Sequence, residues 1–124
     1  MFAPQQLERL RLLESVVVNA KDAVIITEAE PIDGLGPRIV YCNPAFEKAT
    51  GFTAHEVLGL TPRILQSKET SRVTLDKIRR ALSNWDSIEV ELINARKDGS
   101  LFWVELSIVP VADEKGWFTH WISV

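Results

Sequence analysis

The chain predicts an α+β domain: a single antiparallel sheet of about five strands, with short helices gathered on one face. Three observations predict it. Two short β-branched runs, 23–28 and 38–42, lie early in the chain. The last third, 88–124, alternates apolar and polar residues and is broken twice by turn residues. Between these halves, apolar residues recur at helical spacing of three and four.

Each element follows from its residues. Residues 5–20 read as an amphipathic helix, with Leu7, Leu10, Leu13 and Val17 on one stripe and Glu8, Arg9, Arg11 and Glu14 on the other faces. Such a leading helix packs on its own sheet or pairs with a second copy, and the pattern leaves both open. Ala23–Glu28 is a strand. Ala29–Pro37, with two prolines and two glycines, is a loop, long for a hairpin. Arg38–Cys42 is the second strand. Asn43 then caps a helix with Pro44 at its first position and a stop at Gly51. Thr53 and Glu56 stand at capping-box spacing. Pro62 prevents a simple continuation as helix. Thr70 and Ser71 open a longer helix with Val73, Leu75, Ile78 and Leu82 on its apolar side, ending at Asn84 and Asp86. Ile88, Val90 and Leu92 alternate with Glu89, Glu91 and Ile93 as a strand. Lys97-Asp98-Gly99 signals a tight hairpin. Leu101–Val111 is the next strand, Asp113–Gly116 a turn, and Trp117–Val124 the last strand. A chain that stops inside a strand is expected to be a piece of a longer protein.

The stretch 51–66 carries the clearest functional signal. Arg63 and Gln66 lie three apart, on one face of any helical turn. A cation and an amide so placed suit a polar ligand, and they also suit a solvated surface. Helices on one face of a sheet would enclose a pocket, a common place for a small ligand.

Composition excludes several classes. The chain has 124 residues, enough for one ordinary domain, and 46% are hydrophobic, enough for a core. The net charge of −3 and the lack of a basic stripe argue against nucleic acid as a partner. The single cysteine, Cys42, forms no internal disulfide, which fits a cytoplasmic location. No signal peptide and no membrane span is evident. His55 and His120 do not suggest a zinc site, which wants four ligands. There is no glycine-rich phosphate loop and no nucleophile–histidine pair at motif spacing, so no enzyme activity is expected of the chain itself.

Taken together, the motifs resemble a PAS sensor domain. Asn43-Pro-Ala-Phe46 with Thr50-Gly51, then Glu56-Val-Leu-Gly59, then Arg96-Lys-Asp-Gly99 with Phe102-Trp103, are similar to PAS landmarks in the right order. The resemblance covers roughly residues 20 to 124. It divides the chain into an N-terminal amphipathic helix, 1–20, and a PAS domain, 21–124. The closest likeness is to the flavin-binding LOV branch, whose pattern reads Gly-x-Asn-Cys-Arg-Phe-Leu-Gln. Here the stretch is Gly59-Leu-Thr-Pro-Arg-Ile-Leu-Gln66. Glycine, arginine, leucine and glutamine match. Pro62 replaces the cysteine that forms the light-driven flavin adduct, and Thr61 replaces the asparagine before it.

The resemblance implies a sensory or signal-relay domain that binds FMN or FAD without cysteinyl-adduct chemistry. It implies phosphate contacts from Arg63 and Arg79, ring-edge contacts from Gln66 and Asn94, and further cofactor contacts from Thr27, Phe46, Thr61 and Val104. Val104 stands where the family has a second ring-edge partner. The family's switching glutamine would fall just after Val124. Haem is not expected, because the helix from Thr70 to Leu82 has no histidine. A homodimer through the N-terminal helix and an attached effector, such as a histidine kinase or diguanylate cyclase, are implied as partners. The alternative is a PAS module that binds no small molecule and serves only for pairing.

Overall fold

The computed structural model describes residues 3–32, 34 and 36–124. Asp33 and Leu35 of the expected 29–37 loop, and Met1 and Phe2 of the expected leading segment, lie outside them.

Helix α1 spans Pro4–Val18. Proline suits its first turn, where the missing N–H would have no partner in the helix. The Gln6 side chain accepts from the Ala3 N–H at 2.8 Å. No residue of α1 is buried, and Leu10 and Leu13 are 46% and 54% exposed. The leucine stripe is therefore not covered by the domain's own sheet.

Strand β1 (Ile25–Glu28) pairs antiparallel with β2 (Ile39–Cys42). Strands β3 (Ile88–Ala95), β4 (Leu101–Ala112) and β5 (Phe118–Ser123) form the rest of the sheet. The order is β2-β1-β5-β4-β3, with every neighbouring pair antiparallel. The first strand is thus an interior one, between β2 and the last strand, and Ile25 stands opposite Ser123. Entry to and exit from the sheet lie side by side. The hairpin between β3 and β4 turns at Gly99, whose φ of 87° is left-handed, as its Lys-Asp-Gly signal predicts.

Helix α2 (Pro44–Thr50) is capped by Asn43 and stops at Gly51, φ 81°. Helix α3 (Ala54–Val57) carries the predicted capping box: Glu56 N–H donates to Thr53 Oγ1 at 3.2 Å, and Thr53 N–H donates to Glu56 at 3.0 Å. Pro62–Leu65 is a single 3-10 turn. Helix α4 spans Arg72–Ser83 and is capped by Ser71. Thr70 instead ties the segment to the sheet, donating to the Ile93 carbonyl at 2.6 Å. Val73, expected on the apolar side, is 64% exposed. It sits in the first turn of α4 and, unlike Leu75, Ile78 and Leu82, does not line the hollow beneath the helix.

The buried cluster Ile25, Ile39, Cys42, Phe46, Val57 and Leu65 lies under α2 and α3, over the β1–β2 side. The side under α4 differs. Helix α4 has no buried residue, and its Leu75, Ile78 and Leu82 line a cavity instead of closing on the strands. The fold is packed at one end and hollow at the other.

Candidate functional site

The hollow is a cavity of about 460 Å³. Its roof is α4 with the 3-10 turn, and its floor is the inner face of the sheet. The period of two puts Ile25 and Thr27, Leu92 and Asn94, Leu106 and Ile108, and Trp121 and Ser123 on that floor. Aliphatic side chains dominate the walls, and a few polar groups interrupt them, which is the usual make-up of a small-molecule site.

Five predicted residues converge here: Thr27, Arg63, Gln66, Arg79 and Asn94. Arg63 stands on the 3-10 turn and Gln66 caps it. Arg79 projects from α4 three residues before Leu82. Arg63 is exposed, and its guanidinium has no hydrogen bond or ion pair among the described residues. Arg72 and Asp76 join the same rim and make a loose ion pair at 3.9 Å. The Arg63 guanidinium thus places a cation at the cavity mouth, a setting for an anionic group.

Asn94 is the informative floor residue. It is only 9% exposed, yet its side-chain amide has no hydrogen-bond partner among the described residues. Every enclosed side-chain nitrogen and oxygen among those residues does have one. The Asn94 amide is therefore not sealed off, and at the cavity lining it has a donor and an acceptor on offer. Thr27 donates its hydroxyl to the Glu28 carbonyl at 2.9 Å, which leaves its oxygen able to accept.

Three predicted residues lie elsewhere. Phe46 is 1% exposed, within the packed cluster. Thr61 precedes the 3-10 turn and does not line the cavity. Val104 stands opposite Leu92 on the inner face, and with Phe46 it lines a second, larger hollow of about 910 Å³. That hollow reaches the exposed Glu89, Glu91, Trp103 and Glu105, so it is an open surface concavity. The two share Ile25, Leu65, Asn94, Leu106 and Ser123 and meet along that line.

Sequence reasoning did not assign Trp121, a wall of the smaller cavity. Its indole is 2% exposed and donates Nε1–H to the Ala29 carbonyl at 3.1 Å. The alternation of β5 carried the signal, since residues 121 and 123 share a face. Pro62 lines the cavity, and Cys42 lines neither hollow. Burial, and secondarily the Glu47 carboxylate, push the Cys42 thiol up. Among the described residues, no group of three or more His, Cys, Asp or Glu side chains could hold a metal ion.

Residues 21–124 match the PAS domain as a family. The chain belongs to the PAS domain family. The chain is similar to several longer proteins. It is 35% identical over 91% of its length to the bacterioopsin transcriptional activator of Halobacterium salinarum, of which it covers 16%. It is 38% identical over 69% of its length to phototropin-2 of Oryza sativa subsp. japonica, covering 10% of that protein. A blue-light-activated histidine kinase of Brucella canis is 39% identical over 68% of the chain and 17% of the kinase. The chain therefore spans only a tenth to a sixth of these curated relatives.

Solved structures agree with the sheet and its helices. An RNA-binding Light-Oxygen-Voltage receptor superposes with a TM-score of 0.85 at 33% identity, over 98% of this chain and 33% of that one. A cysteine-to-serine mutant of Vivid gives 0.75 at 30% identity, over 82% of this chain and 79% of that one. The PAS domain described here is LOV-like, a sensory domain related to signalling proteins that include histidine kinases and transcriptional activators. No helix among the described residues is long and apolar enough to cross a membrane.

Proposed function

We propose that this PAS domain senses through a flavin nucleotide, FMN or FAD, held in the 460 Å³ cavity. One observation carries the reading: the buried Asn94 amide, without a hydrogen-bond partner among the described residues, lines a cavity whose rim bears Arg63 and Arg79. A ring with a hydrogen-bonding edge and an anionic tail satisfies both ends at once. Ile25, Ile78, Leu92, Leu106 and Ile108 supply the apolar walls for the flat part.

Each residue has a defined task. Asn94 and Gln66 meet the ring's donor and acceptor edge. Arg63 and Arg79 hold the phosphate by charge-assisted hydrogen bonds. The aliphatic walls exclude water from the ring. A bound flavin supplies light absorption and one- or two-electron redox chemistry. Pro62 offers no nucleophile at the cavity wall, and thiol chemistry needs a thiolate. The stimulus is therefore read without a bond between this chain and its ligand.

The uncovered leucine stripe of α1 favours a two-fold dimer, in which two copies pair through these helices. The relatives are longer signalling proteins, and this supports an attached effector as the receiver of the signal. Titration of FMN into flavin-free protein, followed by quenching of flavin fluorescence, tests the central assignment. Saturation at one FMN per chain is expected, and linear, unsaturable signal would overturn it.

A further inference from the structure

The inside of the cavity is connected to the surface by stacked aromatic rings. Trp121 forms part of the cavity wall. The Trp85 ring lies parallel to it, with centroids 5.3 Å apart and planes 5° apart. The Phe118 ring also stacks with Trp85, at 5.0 Å and 6°. Trp85 is half-buried and does not line the cavity. It is also the sole non-glycine residue with positive φ among the described residues, at 57°. Such a conformation is uncommon and strained for a bulky side chain. Its stacking with both Trp121 and Phe118 holds Trp85 there.

We propose that Trp121 and Trp85 form a one-electron relay that carries electrons from a thiol in solution to a photoexcited flavin in the cavity. The proposal rests on the flavin reading above. Trp121 gives one electron to the excited ring, which is reduced by one electron, and the indole is left as a radical cation. Its Nε1–H is held by the Ala29 carbonyl, an oxygen too weakly basic to take the proton. The hole therefore moves to Trp85 through the parallel rings, restoring Trp121. A thiolate in solution then returns one electron to Trp85 and becomes a thiyl radical, and two such radicals close a disulfide. Phe118 is too hard to oxidise to carry the hole further, so the relay ends at Trp85. This route gives a PAS domain with Pro62 in its cavity wall a light- and thiol-dependent output.

The test compares the protein with Trp121→Phe, Trp85→Phe and Trp103→Phe variants. Trp103 is 71% exposed and outside the stack, so it serves as the control. Phenylalanine keeps a ring in each stack but removes the oxidisable indole. FMN-loaded samples are illuminated without oxygen in excess dithiothreitol. Bleaching of the flavin band is expected to slow about an order of magnitude in Trp121→Phe, less in Trp85→Phe, and not at all in Trp103→Phe. Frozen illuminated samples should give a tryptophanyl radical signal by EPR that the Trp121→Phe change removes. In flavin-free protein, the paired near-UV circular dichroism bands of stacked indoles should vanish in the Trp85→Phe and Trp121→Phe variants alone. Failure of the unmodified protein to bind FMN overturns the flavin reading and the relay with it. A Trp85→Phe protein that binds FMN normally and bleaches at the unmodified rate overturns the relay alone, whatever Trp121→Phe does.

Discussion

The side-chain amide of Asn43 donates to the backbone carbonyl of Val17 at 3.1 Å, tying the last turn of α1 to the buried start of α2. The same side chain donates to the Asp22 carbonyl at 3.0 Å and accepts from the N–H groups of Val24 at 2.8 Å and Phe46 at 3.1 Å. Asn43 is fully buried. One residue thus joins the leading helix, the entry to β1 and the first inner helix.

Replacing Asn43 by alanine leaves the Val24 N–H and the Asp22 carbonyl short of a partner. The loss in stability should be about 2–4 kcal/mol, from the cost of buried unsatisfied groups. Urea denaturation checks it. Asn43→Asp keeps both acceptor contacts but sets a carboxylate against two carbonyls, so it should also free the end of α1. Faster amide exchange in residues 14–19 would report that release.

Much of the fold was legible because local rules set it. Pro44 after Asn43, Glu56 three after Thr53, and the Lys97-Asp98-Gly99 hairpin each specify a structure within a few residues. The site was legible only in part. Thr27, Arg63, Gln66, Arg79 and Asn94 meet around one cavity, but Phe46 and Val104 lie across the line from it. Which strand residues share a wall depends on sheet order, and β1 lying between β2 and β5 is a long-range fact with no local sequence signal. The Trp85–Trp121 stack and the three contacts of Asn43 to the 17–24 segment are of the same non-local kind.

Arg63 and Arg79 should carry phosphate affinity together. Replacing either by alanine should weaken FMN by about 1.5–3 kcal/mol, roughly ten- to a hundredfold in Kd. Riboflavin, which lacks the phosphate, should bind the variants and the unmodified protein alike. Arg63→Ala should leave the unfolding midpoint unchanged, because an exposed arginine on a short turn contributes little to stability. Fluorescence titration and thermal melts read the two effects separately.

Lys97 on the β3–β4 hairpin forms an ion pair with Glu56 on α3. That hydrogen-bonded pair, with the Thr53 N–H, lowers the Glu56 carboxyl from 4.5 to about 2. A carboxyl lowered in the folded state stabilises it above the unfolded value, and the contribution is lost as pH falls from about 4.5 through about 2. The unmodified protein should therefore exceed Glu56→Gln in urea midpoint at neutral pH, and the two should converge near pH 2. A difference that persists unchanged in acid would assign the effect to the capping box and not to the charge.

The α1 stripe should mediate pairing. Leu10→Glu with Leu13→Glu places charge on its exposed part, while Val17 is half-buried against the domain. The double variant should sediment as a monomer with an unchanged far-UV spectrum. If the unmodified chain is itself a monomer at high concentration, the dimer reading fails.

The central claim is that a flavin nucleotide occupies the cavity between α4 and the sheet. The absorption spectrum of the freshly purified protein tests it most directly. The account predicts flavin bands in the near-ultraviolet and blue, with vibrational structure in the blue band that free flavin lacks, and it predicts that an Asn94→Ala change shifts that structure. A protein that purifies colourless, and stays so after incubation with excess FMN and FAD and removal of free ligand, would contradict it.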